Sequence, residues 1–220
     1  MVIADRDILF ADVEECLEEN ICENSLHITD PCHSDEEKIE IITMHFAAIM
    51  KTLGLNLADD SLKDTPRRVA KMYVEEIFSG LNIANRPSIS LFDNSYAYTE
   101  MLIEKDITVY SYCEHHFVPI IGKAHVAYIP NGKVIGLSKI NRLVSYYSKR
   151  PQVQERLTHQ IAEGLKEALH TQDVGVRIDA IHLCVASRGI KDTQSSTSTA
   201  AYFGKFQEDK IRSEFLTMLR

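Results

Sequence analysis

The chain has 220 residues, enough for one well-cored domain with or without an appendage. Apolar residues make up 45% and charged residues 25%, the balance of an ordinary globular protein, with a net charge of −8. The acidic balance argues against nucleic acid as a partner, so an anionic ligand would need a local basic patch. No stretch approaches 18 consecutive apolar residues and the N-terminus MVIADRDILF lacks a signal-peptide pattern, so neither a membrane span nor a secretory leader is expected. The five cysteines are Cys16, Cys22, Cys32, Cys113 and Cys184. An odd count without framework spacing argues against a disulfide scaffold and for a reducing cytoplasmic location.

Residues 1–40 carry 13 acidic side chains against Arg6 and Lys38, and residues 1–35 read as an acidic helical appendage. Residues 36–220 read as the main domain. A helix is expected from Ser34, because Glu37 completes a capping box and Ile41, Met44, His45 and Ala48 recur at helical spacing. A second helix is expected in DTPRRVAKMYVEEIF, capped by Asp64 or Thr65, with Pro66 in its first turn. Its apolar stripe is Val69, Met72, Tyr73 and Ile77, and Gly80 ends it.

From about Ser88 the period changes to two, predicting strands over 101–113 and 117–129, followed by a turn at Pro130-Asn131-Gly132. Helical spacing returns after Ser138 and breaks at Pro151. It resumes through Val153, Leu157, Ile161, Leu165 and Leu169. Residues 174–187 read as strand again. After the Ser/Thr run 195–199 come a short strand and a C-terminal helix ending at Leu219. Blocks of helices and strands favour an α+β fold with a largely antiparallel sheet.

The densest chemistry is Cys113-Glu114-His115-His116. Residues three apart on a strand face opposite ways, so Cys113 and His116 share an ion only if the chain turns there. In His182-Leu183-Cys184, residues two apart share a strand face, which would aim His182 and Cys184 into one space. Alone, Cys184 reads as a buried thiol and C-x-x-H is a weak signal. Together they suggest a Cys113, His116, Cys184 set. Two thiolates and an imidazole suit zinc, and three protein ligands leave a place for water whose pKa the metal lowers to near neutral.

Ser138, Lys139 and Arg142 lie at an expected helix start, where backbone amides favour anions. Arg188 and Arg68 are candidates for the same anion, although each alone reads as a solvated charge. Gln154 and Glu155 open the helix after Pro151, where a carboxylate suits the helix dipole. A carboxylate there could also take the N1–H and 2-amino donors of guanine, a pair that adenine lacks.

Several long segments, in order, resemble GTP cyclohydrolase I: DTPRRVAKMYVEEIFSGL, CEHHF, AYIPNGKVIGLSKINRLV, RPQVQERLT and IDAIHLCVASRGIKD. The resemblance covers roughly residues 35–220. It implies the tunnelling fold, with four-stranded antiparallel sheets, helices on one face, and sheets of several subunits joined into a barrel. It also implies a homodecamer built from two pentamers, with active sites between subunits. The implied reaction turns GTP into 7,8-dihydroneopterin triphosphate and formate, the first step of tetrahydrofolate and pterin biosynthesis, using Zn2+. By the same resemblance Cys113, His116 and Cys184 hold the metal. His115, His182 and Ser138 are catalytic, with His182 the acid at guanine N7. Glu155 and Gln154 meet the base, and Ser138, Lys139, Arg142, Arg188 and Arg68 the ribose and triphosphate. A pyruvoyl-tetrahydropterin synthase would favour three histidines on zinc. A non-catalytic zinc-stabilised GTP-binding oligomer would want a closed four-ligand site. A zinc nucleoside deaminase would need H-x-E with P-C-x-x-C, which is absent.

Overall fold

The computed structural model describes residues 33–220; the acidic stretch before them, with Cys16, Cys22 and Cys32, lies outside the described residues. They form two compact units, the first ending at Glu76 and the second spanning Ile77–Arg220. This boundary falls inside the stretch read as one main domain.

In the first unit, α1 (Asp35–Thr52) opens with the expected capping box. The Ser34 Oγ accepts from the Glu37 N–H at 3.3 Å, and the Glu37 carboxylate accepts from the Ser34 N–H at 2.7 Å. Three acidic residues in the first turn suit the helix dipole. The buried side of α1 is defined by Ile39 and Met50, about three turns apart, and Met44 is exposed. The expected stripe through Ile41, Met44, His45 and Ala48 is therefore not the buried one. The second helix, α2 (Thr65–Lys71), has Pro66 in its first turn. Asp64 makes no side-chain cap and lies instead 3.7 Å from Arg68. The chain then widens into a π-helical turn over Met72–Ile77, so the α-helix ends well before Gly80.

The second unit is built on a sheet whose inward side chains alternate as a half-buried strand requires. Its strands are β2 (Leu102–Cys113), β3 (Pro119–Tyr128), β5 (Pro151–Gln152), β6 (Val174–His182) and β7 (Thr197–Tyr202), ordered β5-β2-β3-β6-β7. The four long strands are antiparallel neighbours, and β5 runs parallel to β2 beside Tyr112 and Cys113. The sheet is thus mixed and five-stranded, because Pro151–Gln152 adds to the expected four. A separate ladder pairs β1 (Leu91–Asp93) with β4 (Lys133–Ile135).

One face of the sheet is covered by α3 (Leu137–Ser148) and α4 (Gln154–Leu169). Ile140, Leu143 and Val144 from α3, and Leu157, Ile161, Leu165 and Leu169 from α4, meet Val109, Val126, Val176 and Ile178 in one core. Helices are not confined to that face. Phe206 and Phe215, the latter on α6 (Asp209–Met218), cover Ala127 and Ile129 in a smaller cluster on the other side. A single turn, α5 (Leu183–Ala186), follows β6 directly, so the expected strand over 174–187 stops at His182.

Two strand edges are open among the described residues: the outer edge of β7, and that of β2 apart from its last two residues. Tyr110, Ile121 and Ile181 are cross-strand neighbours on the face away from α3 and α4, and all three are exposed.

Among the described residues the core contains one polar misfit. The Ser111 hydroxyl is fully buried without a hydrogen-bond partner. A buried unpaired hydroxyl costs about 1–3 kcal/mol, so Ser111→Ala should leave the urea unfolding midpoint unchanged or raise it. A loss of stability in that variant would mean that the hydroxyl has a partner.

Candidate active site

The site is set by where two neighbouring strands stop. β2 ends at Cys113, whose N–H still donates to Val118 O at 2.9 Å while its carbonyl accepts from Phe117 N–H at 2.8 Å. Phe117 takes a left-handed backbone, φ 51°, which reverses the chain into β3. This is the turn that a shared ion at Cys113 and His116 demands. His116 Nδ1 comes to 3.8 Å from the Cys113 sulfur, and His115 Nδ1 to 3.7 Å.

β6 stops level with this turn, His182 lying beside Ile120 at the start of β3. The chain then coils, and α5 carries Cys184 to the cluster. Ligand atoms of Cys113, His116 and Cys184 all lie within 4.8 Å of one another. Zinc bonds of ~2.3 Å to sulfur and ~2.0 Å to nitrogen in a tetrahedron place donors roughly 3.5–4 Å apart, so this donor set fits a zinc ion. Burial raises the Cys184 thiol pKa, and Cys113 raises it further by hydrogen bond and charge, against the pull of Arg188. A divalent cation held by Cys113 and Cys184 would remove that conflict, both sulfurs then being thiolates. Arg188 also donates to His116 Nε2 at 2.9 Å, so it stands at this end of the sheet.

His182 and Cys184 do not share a strand face as expected, because the strand ends between them. His182 turns instead toward Gln154, with Nε2 2.7 Å from the Gln154 side-chain oxygen. Gln154 is buried, and its amide nitrogen lies 3.0 Å from both Ile178 O and Thr197 O and 3.1 Å from Thr199 Oγ1. Two of these neighbours are carbonyls that only accept, so the NH2 group must face them and the oxygen must face His182. Nε2 of His182 is therefore the N–H donor, and in the neutral ring Nδ1 is left to exchange protons. Burial lowers the His182 pKa, and the Glu155 charge opposes that shift. Glu155 is exposed in the first turn of α4. Gln154, expected at the base, thus has its side chain occupied within the protein.

The basic residues are divided. Ser138, Lys139 and Arg142 open α3, whose start lies toward the far end of β2: Asn141 donates to Glu104 at 3.3 Å. After α3 the chain returns to Cys113 through β5. From Glu104 to Cys113 the strand spans on the order of 30 Å at ~3.3 Å per residue. Within one chain these residues stand away from the Cys113, His116, Cys184 cluster. Arg68 belongs to the first unit, near Asp64. Sequence reasoning missed the pairing of Glu114 with Arg156, which ties the turn after β2 to α4. Its only signal was an acid inside the histidine motif and a base in the first turn of α4.

The GTP cyclohydrolase I family model matches residues 42–220. GTP cyclohydrolase 1 of Flavobacterium johnsoniae is 62% identical over 85% of this chain and 84% of its own. That of Vibrio campbellii is 52% identical over 94% of this chain and 95% of its own, and that of Escherichia coli O1:K1 / APEC 53% over 86% and 87%. Among solved structures, the apo archaeosine synthase QueF-Like aligns with a TM-score of 0.38 at 20% identity over 54% of this chain and 97% of that one, too weak a likeness to bear on function. The chain belongs to the GTP cyclohydrolase I family and is an enzyme with that family's activity.

Proposed function

We propose that the chain converts GTP to 7,8-dihydroneopterin triphosphate and formate at a site that holds zinc through Cys113, His116 and Cys184. The observation that carries this reading is the convergence of those three donors within 4.8 Å, with His182 fixed by Gln154 two residues from the last of them. Bound there, zinc supplies a water activated near neutral pH. Glu155 accepts the N1–H and 2-amino group of guanine, which selects against adenine. His182, protonated on both nitrogens, gives its Nδ1 proton to N7 as the imidazole ring of the base opens, while Gln154 holds its Nε2–H. His115 supports proton transfer around the base, and Ser138 the opening of the ribose. Lys139, Arg142, Arg188 and Arg68 neutralise the triphosphate.

The separation of Ser138, Lys139 and Arg142 from the metal end supports a site completed by a second copy. So do the open edges of β2 and β7 and the exposed row Tyr110, Ile121, Ile181, since unpaired edges and apolar faces call for partners. We take the assembly to be the homodecamer of the tunnelling fold and its location to be cytoplasmic. Among the described residues, no helix is long and apolar enough to cross a membrane.

Two outcomes are expected. Gln154→Met should lower kcat on the order of 10²-fold and leave KM for GTP nearly unchanged, because its role is to hold His182. A tenfold rise in KM with kcat intact would make Gln154 a substrate contact instead. Anaerobic incubation of the purified protein with GTP should yield formate and fluorescent oxidised pterin in equal amounts. Chelation should abolish both and zinc restore them. Tight GTP binding by zinc-loaded protein without formate would overturn the reading.

A further inference from the structure

The turn that carries the proposed ligands holds little of its own shape. Between Cys113 and Phe117 its internal backbone bonds are those from His116 and Phe117 N–H to Cys113 O, at 3.4 and 2.8 Å, and Phe117 sits in the left-handed region. Besides the Arg188 contact to His116 and the packing of Phe117 on Phe78, the turn is held from outside through Glu114. The Glu114 N–H donates to Gln152 O at 3.1 Å, and its carboxylate Oε2 accepts from the Arg156 guanidinium. Arg156 also donates to Pro151 O and to the Gln152 side-chain oxygen, both at 3.1 Å. Gln152 is fully buried and donates to Tyr147 O at 2.9 Å and to Gln160 Oε1 at 2.8 Å. The guanidinium therefore grips β5 and the ligand turn at once, from a helix seated in the core.

Both side chains are largely shielded, 21% exposed for Arg156 and 26% for Glu114, so this is not a loose surface pair. The guanidinium reaches these three acceptors from two nitrogens, Nε and Nη2; a lysine ammonium carries its three N–H donors on a single nitrogen and would not cover both positions. The second Glu114 oxygen lies 3.7 Å from His115 Nε2, which links the same pair to the orientation of that ring.

We infer that Arg156 and Glu114 are a positioning pair that sets the spacing of Cys113 and His116 and so tunes metal affinity. The inference rests on the reading of Cys113, His116 and Cys184 as the metal ligands. Partners one step removed from a metal ligand typically contribute 10–100-fold in affinity. Because the two act through one contact, their effects should not add.

The test is zinc affinity, read by competition with a chromophoric chelator, for Arg156→Met, Glu114→Gln, the double variant, Arg156→Lys and Cys184→Ser. Circular dichroism and melting of the zinc-free proteins are recorded alongside. Each single variant should bind zinc about 10–100-fold more weakly. The double should be no weaker than the worse single, and Arg156→Lys should recover only part of the loss. If Arg156→Met does not fold, Glu114→Gln, which keeps the side-chain shape, decides alone. Zinc affinity within threefold of wild type in the folded single variants, or fully additive losses, would overturn the pair's role. Undiminished zinc binding by Cys184→Ser would instead show that the metal site itself has been misread.

Discussion

β2 and β6 stop at the same end of the sheet, within two residues of each other in the register, and the chemistry proposed for the second unit depends on that nearness. Cys113 is the last residue of one strand and His182 the last of the other; Ile120 of β3 pairs with Ser111 on one side and His182 on the other, so β2 runs two residues further. Beyond these points the backbone no longer alternates its side chains. A tight turn returns His116 to Cys113, and one helical turn returns Cys184 to both. A sheet alone could not gather these donors, since residues three apart on a strand face opposite sides. The core under α3 and α4 gives the stop its rigidity, and buried Gln152 and Gln154 carry that rigidity to the turn and to His182.

The sequence was most legible where one physical rule acts alone. The four-residue steps through Leu157, Ile161, Leu165 and Leu169 marked the buried face of α4, and Ser34 with Glu37 marked a helix start. It was misleading where two rules compete. His182-Leu183-Cys184 alternates like a strand, yet the sheet has no neighbour for residues past His182 and the chain coils. Val69 to Ile77 reads as an α-helix but widens into a π-turn. On α1 the apolar residues exceed one stripe, so spacing alone did not reveal that Ile39 and Met50 are the buried ones.

The candidate site was legible as residue types more than as geometry. Cys113, His116 and Cys184 do come together, while Gln154 is turned inward, a distinction that burial decides and sequence spacing does not. Glu114 and Arg156 were invisible as a pair because nothing in a sequence says that a carboxylate in a turn meets a guanidinium 42 positions later.

The proposed site is divided between two ends of the sheet. In the proposed reading Ser138, Lys139 and Arg142, at the start of α3, stand away from Cys113, His116 and Cys184 within one chain, so a complete site would draw these two groups from different copies. Co-expression of His182→Ala with Arg142→Glu, each inactive alone, tests this most directly. Random co-assembly should place both intact halves at about a quarter of the sites and recover about a quarter of wild-type turnover. Recovery no greater than the sum of the two parents, from verified mixed oligomers, would contradict a site shared between copies.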